Sequence, residues 1–244
     1  MEGYIAGVEP ATWRGINALK INFSGYNYRY PGFYYPELLE FKEEYLKDIR
    51  EIKLMIDELS SNSDIAIFNG GEPTLQRQVL ISLAKHTKEM GLSNILFTNA
   101  SKPFTIKTLM DNKLIDIYVV DLPAPLDERF DKVVHASTFF KPAQEIVRDV
   151  EKSLELFKNK KEEFGVVFRT KVIPGLVYKT KEFLDIARII NHIDASWELV
   201  RFIPQRSVSK VFRGLNAPSQ EFIEGLIKEI NKHFPELRVD WSDS

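Results

Sequence analysis

Six short apolar runs, each followed by a stretch able to form a helix, constrain this chain more than any other feature. The runs lie at 18–24, 64–68, 94–98, 115–120, 165–173 and 197–202. Near-continuous apolar strands that alternate with helices imply a parallel sheet buried on both faces. A helical pattern covers 36–59, where Phe41, Tyr45, Ile49, Ile52, Ile56 and Leu59 recur every three or four residues. Further helices are expected at 75–90, near 106–112, and at 143–160, 181–191 and 219–233, with a last strand at 237–241. Residues 121–140 read as a long, irregular connection. No linker or break in composition divides the chain, so residues 1–244 are expected to form a single α/β domain. Six units rather than eight point to a partial (β/α)6 barrel whose strand ends converge on one face.

The first strand end opens into residues 24–38, SGYNYRYPGFYYPEL. Six aromatic rings fall in ten positions there: Tyr26, Tyr28, Tyr30, Phe33, Tyr34 and Tyr35. Cysteines spaced as Tyr26, Tyr30 and Phe33 are would ligate three irons of a [4Fe–4S] cluster and leave the fourth open. Aromatic rings cannot replace three soft thiolates. The chain has no cysteine at all, which also excludes disulfides and thiolate nucleophiles. The rings can pack on one another, stack on bases or anchor a partner protein.

Composition narrows the choice. The chain is 44% hydrophobic and 28% charged, with a net charge of −2, so bulk attraction to nucleic acid or an anionic membrane is not expected. No apolar run reaches the length of a membrane span. The N-terminus, MEGYIAGVEP, lacks the basic start and apolar core of a signal peptide, so a cytoplasmic location is expected. His86, His135, His192 and His233 show no metal-ligand spacing.

The other strand ends carry polar groups. Gly70-Gly71-Glu72-Pro73 follows the second run, and paired glycines there let a ligand come close to the backbone. Thr98 and Asn99 follow the third run, Asp121 the fourth, and Arg169 lies in the fifth. Arg169 can pair with a ligand carboxylate or form a structural ion pair with Asp121. From the end of the sixth run onward, Arg201, Arg206, Lys210 and Arg213 lie between Glu198 and Glu221 with no acidic residue among them. That loop, 201–213, offers a site for phosphate, RNA or an acidic partner.

Taken in order, these stretches resemble the radical SAM superfamily, and most closely the activating enzymes of glycyl-radical enzymes and of anaerobic ribonucleotide reductase. Thr12-Trp13-Arg14-Gly15 stands where that group has Asp-Tyr-Pro-Gly. Residues 25–38 match its cluster loop, with Tyr26, Tyr30 and Phe33 at the three cysteine positions. Gly-Gly-Glu-Pro-Thr is intact at 70–74, and residues 169–175 and 199–204 match two later motifs. Phe97-Thr98-Asn99-Ala100 replaces an Asp-Thr-Asn-Gly, and Asp121-Leu122-Pro123 replaces an Asp-x-Lys.

The resemblance implies a radical SAM-type fold and a remnant pocket for SAM or a related nucleoside. Its residues would be Gly70, Gly71, Glu72, Pro73, Thr98, Asn99, Asp121 and Arg169. No [4Fe–4S] cluster, no metal and no 5′-deoxyadenosyl radical are expected. The resulting expectation is an activating-enzyme homologue turned pseudoenzyme, which binds a nucleoside-like ligand or a protein partner. The alternatives are a non-radical SAM-dependent transferase and an RNA-associated protein that uses the basic loop.

Overall fold

The chain begins with a hairpin. β1 (Glu2–Trp13) pairs antiparallel with β2 (Ile16–Phe23), from Ile5↔Phe23 to Trp13↔Ile16, with a register shift between Ile5 and Gly7. Arg14 and Gly15 make the turn at φ 49° and 82°, the two positive values that match the twist of a two-residue hairpin. A computed structural model describes residues 1–138, 141–159 and 164–243. The chain falls into two compact units. The first holds Met1–Asn27 and Tyr35–Val119, and the second holds Tyr28–Tyr34 and most of the chain after Val119.

In the first unit the strand order is β3-β1-β2-β4-β5. β3 (Leu46–Asp48) pairs antiparallel with Glu2–Tyr4 at the start of β1. β2, β4 (Ile65–Gly70) and β5 (Ser93–Thr98) run parallel. The helices of this unit are α1 (Ile49–Leu59), α2 (Arg77–Glu89) and α3 (Pro103–Asp111). Each turns an apolar stripe to the core, α1 with Ile49, Ile52 and Ile56, and α2 with Val79, Leu80 and Leu83.

Residues 36–48 are not the helix that their periodicity suggests. They form two single 3-10 turns, Pro36–Leu38 and Glu43–Tyr45, and then β3. Sheet pairing with β1 outweighs the local pattern, and the Asp48 side chain caps α1 by accepting the Arg50 N–H at 2.8 Å.

β6 (Ile117–Asp121) runs from the first unit into the second. The irregular connection after it contains α4 (Glu128–Val134), capped by Asp127. Phe139 and Phe140, at its end, lie outside the described residues, as does Lys160 at the expected end of the next helix. That helix, α5 (Ala143–Lys158), buries Ile146, Val150, Leu154 and Phe157. β7 (Gly165–Val172), β8 (Ser196–Arg201) and β9 (Arg238–Ser242) are parallel neighbours. α6 (Thr180–Ile190), the short α7 (Lys210–Arg213) and α8 (Gln220–His233) complete the unit. Its core carries a buried relay: the Trp197 indole donates to Thr170 Oγ1 at 3.0 Å, and that hydroxyl donates to the Leu122 carbonyl at 2.8 Å.

Candidate functional site

In the first unit, the Gly-Gly-Glu-Pro stretch is closed by the chain's own backbone. Gly70 ends β4 at φ 103°, a value that L side chains rarely adopt. The Gly71 N–H then donates to the Phe23 carbonyl at 2.7 Å, and the Glu72 N–H to the Gly25 carbonyl at 2.8 Å. A side chain on Gly71 would overlap that Gly25 carbonyl. The close approach that the glycines permit is therefore made by the loop after β2.

Glu72 is fully buried and its carboxylate is saturated. It accepts from the Thr74 N–H at 3.1 Å, the Thr74 hydroxyl at 2.5 Å, the Thr98 hydroxyl at 2.8 Å and the Asn99 N–H at 2.7 Å. Burial pushes its pKa up, and these donors pull it down. The Asn99 side chain donates to the Asn27 side chain at 2.9 Å, and Asn27 donates to the Ser101 hydroxyl at 2.9 Å. Pro73 and Thr74 are buried in the turn that starts α2. Gly70, Gly71, Glu72, Pro73, Thr98 and Asn99 thus lie together, cross-linking β2, β4 and β5. Tyr26, also buried, is held by its N–H on the Leu39 carbonyl at 2.9 Å.

In the second unit, residues 28–34 are bolted down from four sides. The Arg29 N–H donates to the Val134 carbonyl at 2.7 Å and the Ser207 hydroxyl to the Pro31 carbonyl at 2.7 Å. The Lys171 ammonium donates to the Gly32 carbonyl at 2.7 Å, and the Ile203 N–H to the Tyr34 hydroxyl at 2.7 Å. Lys171 Nζ also lies 4.1 Å from the Tyr34 ring centre, and the Arg206 guanidinium lies 4.8 Å from it. Tyr28 meets Phe130 edge-on at 6.0 Å. Tyr28, Tyr30, Phe33 and Tyr34 are all buried.

Electrostatics follow from that packing. Burial lowers the Lys171 pKa to about 8, against the pull of Asp121, and the Arg169 and Arg206 charges lower it further. Burial holds Tyr30 well above the ordinary phenol range, with Asp121 adding to the effect. Among the described residues the Tyr30 hydroxyl has no hydrogen-bond partner. Arg169 pairs with Glu198, its register partner on β8, at 3.2 Å. The basic loop is also engaged: Arg201 donates to the Pro218 carbonyl at 3.0 Å and lies 3.3 Å from Asp243, and Arg213 donates to the Ser207 carbonyl at 2.7 Å. Sequence reasoning missed Lys171 and Ser207 as anchors of the loop. A lysine inside a buried apolar strand was the signal for the first.

No family model matches the chain. A protein of Methanocaldococcus jannaschii that carries the provisional name of a glycyl-radical enzyme activating enzyme is 29% identical over 177 residues, which are 72% of this chain and 70% of that protein. A radical SAM methyltransferase from Sphaerobacter thermophilus superposes with a TM-score of 0.65 at 13% identity, over 96% of this chain and 68% of its own. The chain has the radical SAM fold. Streptococcus suis SuiB, solved bound to S-adenosylmethionine, superposes with a TM-score of 0.62 at 13% identity, over 92% of this chain and 51% of its own. The α/β architecture is thus the partial (β/α)6 barrel of the radical SAM type, and in sequence the chain resembles the activating enzymes.

The residues present do not fit the iron–sulfur cluster of radical SAM proteins. Tyr26, Tyr30 and Phe33, where the resemblance places the three thiolates, are buried rings, and the chain has no cysteine to offer. Among the described residues, no group of three or more His, Asp or Glu side chains is placed to hold a metal ion. None of the described helices is long and apolar enough to cross a membrane.

Proposed function

We propose that this radical SAM relative is a pseudoenzyme: a cytoplasmic, single-domain binding protein that works through a protein partner, without radical chemistry. The observation that carries this reading is the aromatic loop. Buried rings occupy the positions that the resemblance assigns to the three cluster ligands, and residues 28–34 are tied to their own unit by four hydrogen bonds. The saturated Glu72 carboxylate supports it, because a ligand amino group would have to displace donors already in place.

One observation favours a second reading, retained binding of SAM or a related nucleoside. Arg169 and Lys171 stand two apart on one strand and offer cationic groups to a ligand carboxylate. RNA binding through the basic loop draws less support, since Arg201 and Arg213 are engaged within the chain and Arg206 covers Tyr34.

The test is anaerobic reconstitution with iron and sulfide, followed by iron analysis and incubation with SAM and a strong reductant. The expected result is no bound cluster and no 5′-deoxyadenosine. Stoichiometric iron with reductive cleavage of SAM would overturn the proposal. Calorimetric titration of the iron-free protein with SAM decides the second reading, which requires binding that Arg169→Ala abolishes.

A further inference from the structure

The groove at the open edge of β1 has a chemistry of its own. It encloses about 380 Å³ and is lined by backbone and side chains of residues 6–9, by Lys20 and Asn22 of β2, and by Tyr35, Glu37, Leu38 and Tyr45. All of these belong to the first unit. Glu9 and Gly7 stand two apart on one face of β1, opposite Lys20 and Asn22 in register. Glu9 Oε1 accepts from Lys20 Nζ at 3.0 Å and from Asn22 Nδ2 at 2.8 Å, so its carboxylate is oriented within the groove. Lys20 Nζ lies 5.3 Å from the Tyr35 ring centre. Nothing lies within 4 Å of a Cβ built on Gly7, so the floor there is open space.

The backbone beside this groove has polar groups to offer. Residues that flank a two-residue hairpin turn exchange hydrogen bonds, and the pattern then alternates. Counted back from Trp13, residues Ala11, Glu9 and Gly7 bond to β2. Thr12 and Val8 therefore turn their N–H and C=O groups away from β2. Pro10 falls in the same outward set, which is where a residue without an N–H belongs on an edge strand. β3 covers this side only along Glu2–Tyr4, and Lys47 Nζ caps the Ile5 carbonyl at 2.7 Å. Among the described residues of the first unit, no strand pairs with the outer side of β1 beyond that point.

Charge selects the occupant. Glu9 and Glu37 outnumber Lys20 in the lining, and residues 37–44 carry four glutamates against one lysine. We propose that this edge binds an extended basic segment of a partner protein as an added strand, with a lysine or arginine side chain in the groove against Glu9. Residues opposite Val8 and Thr12 supply the backbone bonds, and the residue opposite Glu9 points into the groove, since directly paired residues share a face. Main-chain bonds give such a complex affinity, and the groove gives it specificity. This surface shares Tyr35, Glu37 and Leu38 with the aromatic stretch but none of residues 24–34, and its test does not depend on iron or SAM.

The probe is a fluorescein-labelled octapeptide of alternating threonine and lysine, followed by anisotropy. Its controls are the threonine–glutamate counterpart and an analogue with N-methylated threonine amides. The lysine peptide should bind, more weakly as salt rises, and both controls should fail. Glu9→Lys reverses the charge and Gly7→Leu fills the floor. Each should weaken binding about tenfold or more, equivalent to about 1.4 kcal/mol. Gly7 has room, so Gly7→Leu should melt like the parent, and Glu9→Lys, which loses the Lys20 and Asn22 bonds and sets two lysines opposite each other on an exposed face, should stay folded with a slightly lower midpoint. Three results each overturn the proposal: no binding of the lysine peptide, equal binding of the N-methylated analogue, or affinity unchanged in both variants.

Discussion

Replacing Gly71 by alanine should cost about 3–5 kcal/mol of stability. The added methyl meets the Gly25 carbonyl, which is backbone and cannot swing aside. Relief of the overlap must separate the loop after β2 from the turn after β4. That breaks two bonds, Gly71 N–H to Phe23 and Glu72 N–H to Gly25. Each is worth about 1 kcal/mol, and overpacking of a tight site adds about 1–3 kcal/mol. The loss is a large part of a total stability of about 5–15 kcal/mol. Urea unfolding, followed by circular dichroism and tryptophan fluorescence, measures it. Gly7→Ala is the matched control, because a methyl there meets nothing within 4 Å. It should change stability by less than about 1 kcal/mol, in the stabilising direction. Equal midpoints for the two variants would refute the argument that the paired glycines exist to admit the neighbouring backbone.

Tyr30→Phe removes a buried hydroxyl that has no partner among the described residues, and should stabilise the protein by about 1 kcal/mol in the same urea assay; a loss of that size would mean the hydroxyl is bonded. Glu72→Gln puts an amide among the four donors that converge on Glu72, and should cost about 1–3 kcal/mol by thermal or urea unfolding. Lys171 gives a pH signature. Its folded pKa of about 8 lies below the ordinary lysine value, so between the two the unfolded chain binds more protons and stability rises with pH. Wild type measured against Lys171→Met should gain about 1–3 kcal/mol between pH 8 and pH 10; a flat or falling difference would mean that the ammonium is not desolvated.

Most of the strand and helix order was legible in the sequence, because the apolar runs and their helical partners keep one period along each element. α5 is an example, with Ile146, Val150, Leu154 and Phe157 all buried. β1 was not legible: Gly3, Gly7 and Pro10 interrupt its alternation, and only pairing with β2 and β3 makes it a strand. The false helix over 36–48 arose because Phe41, Tyr45 and Ile49 happen to repeat at helical spacing across a loop. At the site, the aromatic run itself could be read, but its anchors could not. Lys171, Tyr34 and Ser207 reach partners 139, 169 and 176 positions away, and no local pattern encodes such pairs. Arg169 chose Glu198 for the same kind of reason, as β8 places that carboxylate directly opposite it.

The aromatic loop also sets the energetic cost of placing thiolates at these positions. Truncating one large buried ring costs about 3–5 kcal/mol, and a lone thiol at Tyr26, Tyr30 or Phe33 would gain nothing, because a cluster needs all three. Each single cysteine substitution is therefore a loss without a return, and the triple substitution would consume most of a typical stability reserve before any iron arrived. Folding energetics therefore hold these rings in the core against replacement by thiols. Substitutions at exposed positions such as those along the β1 edge cost far less.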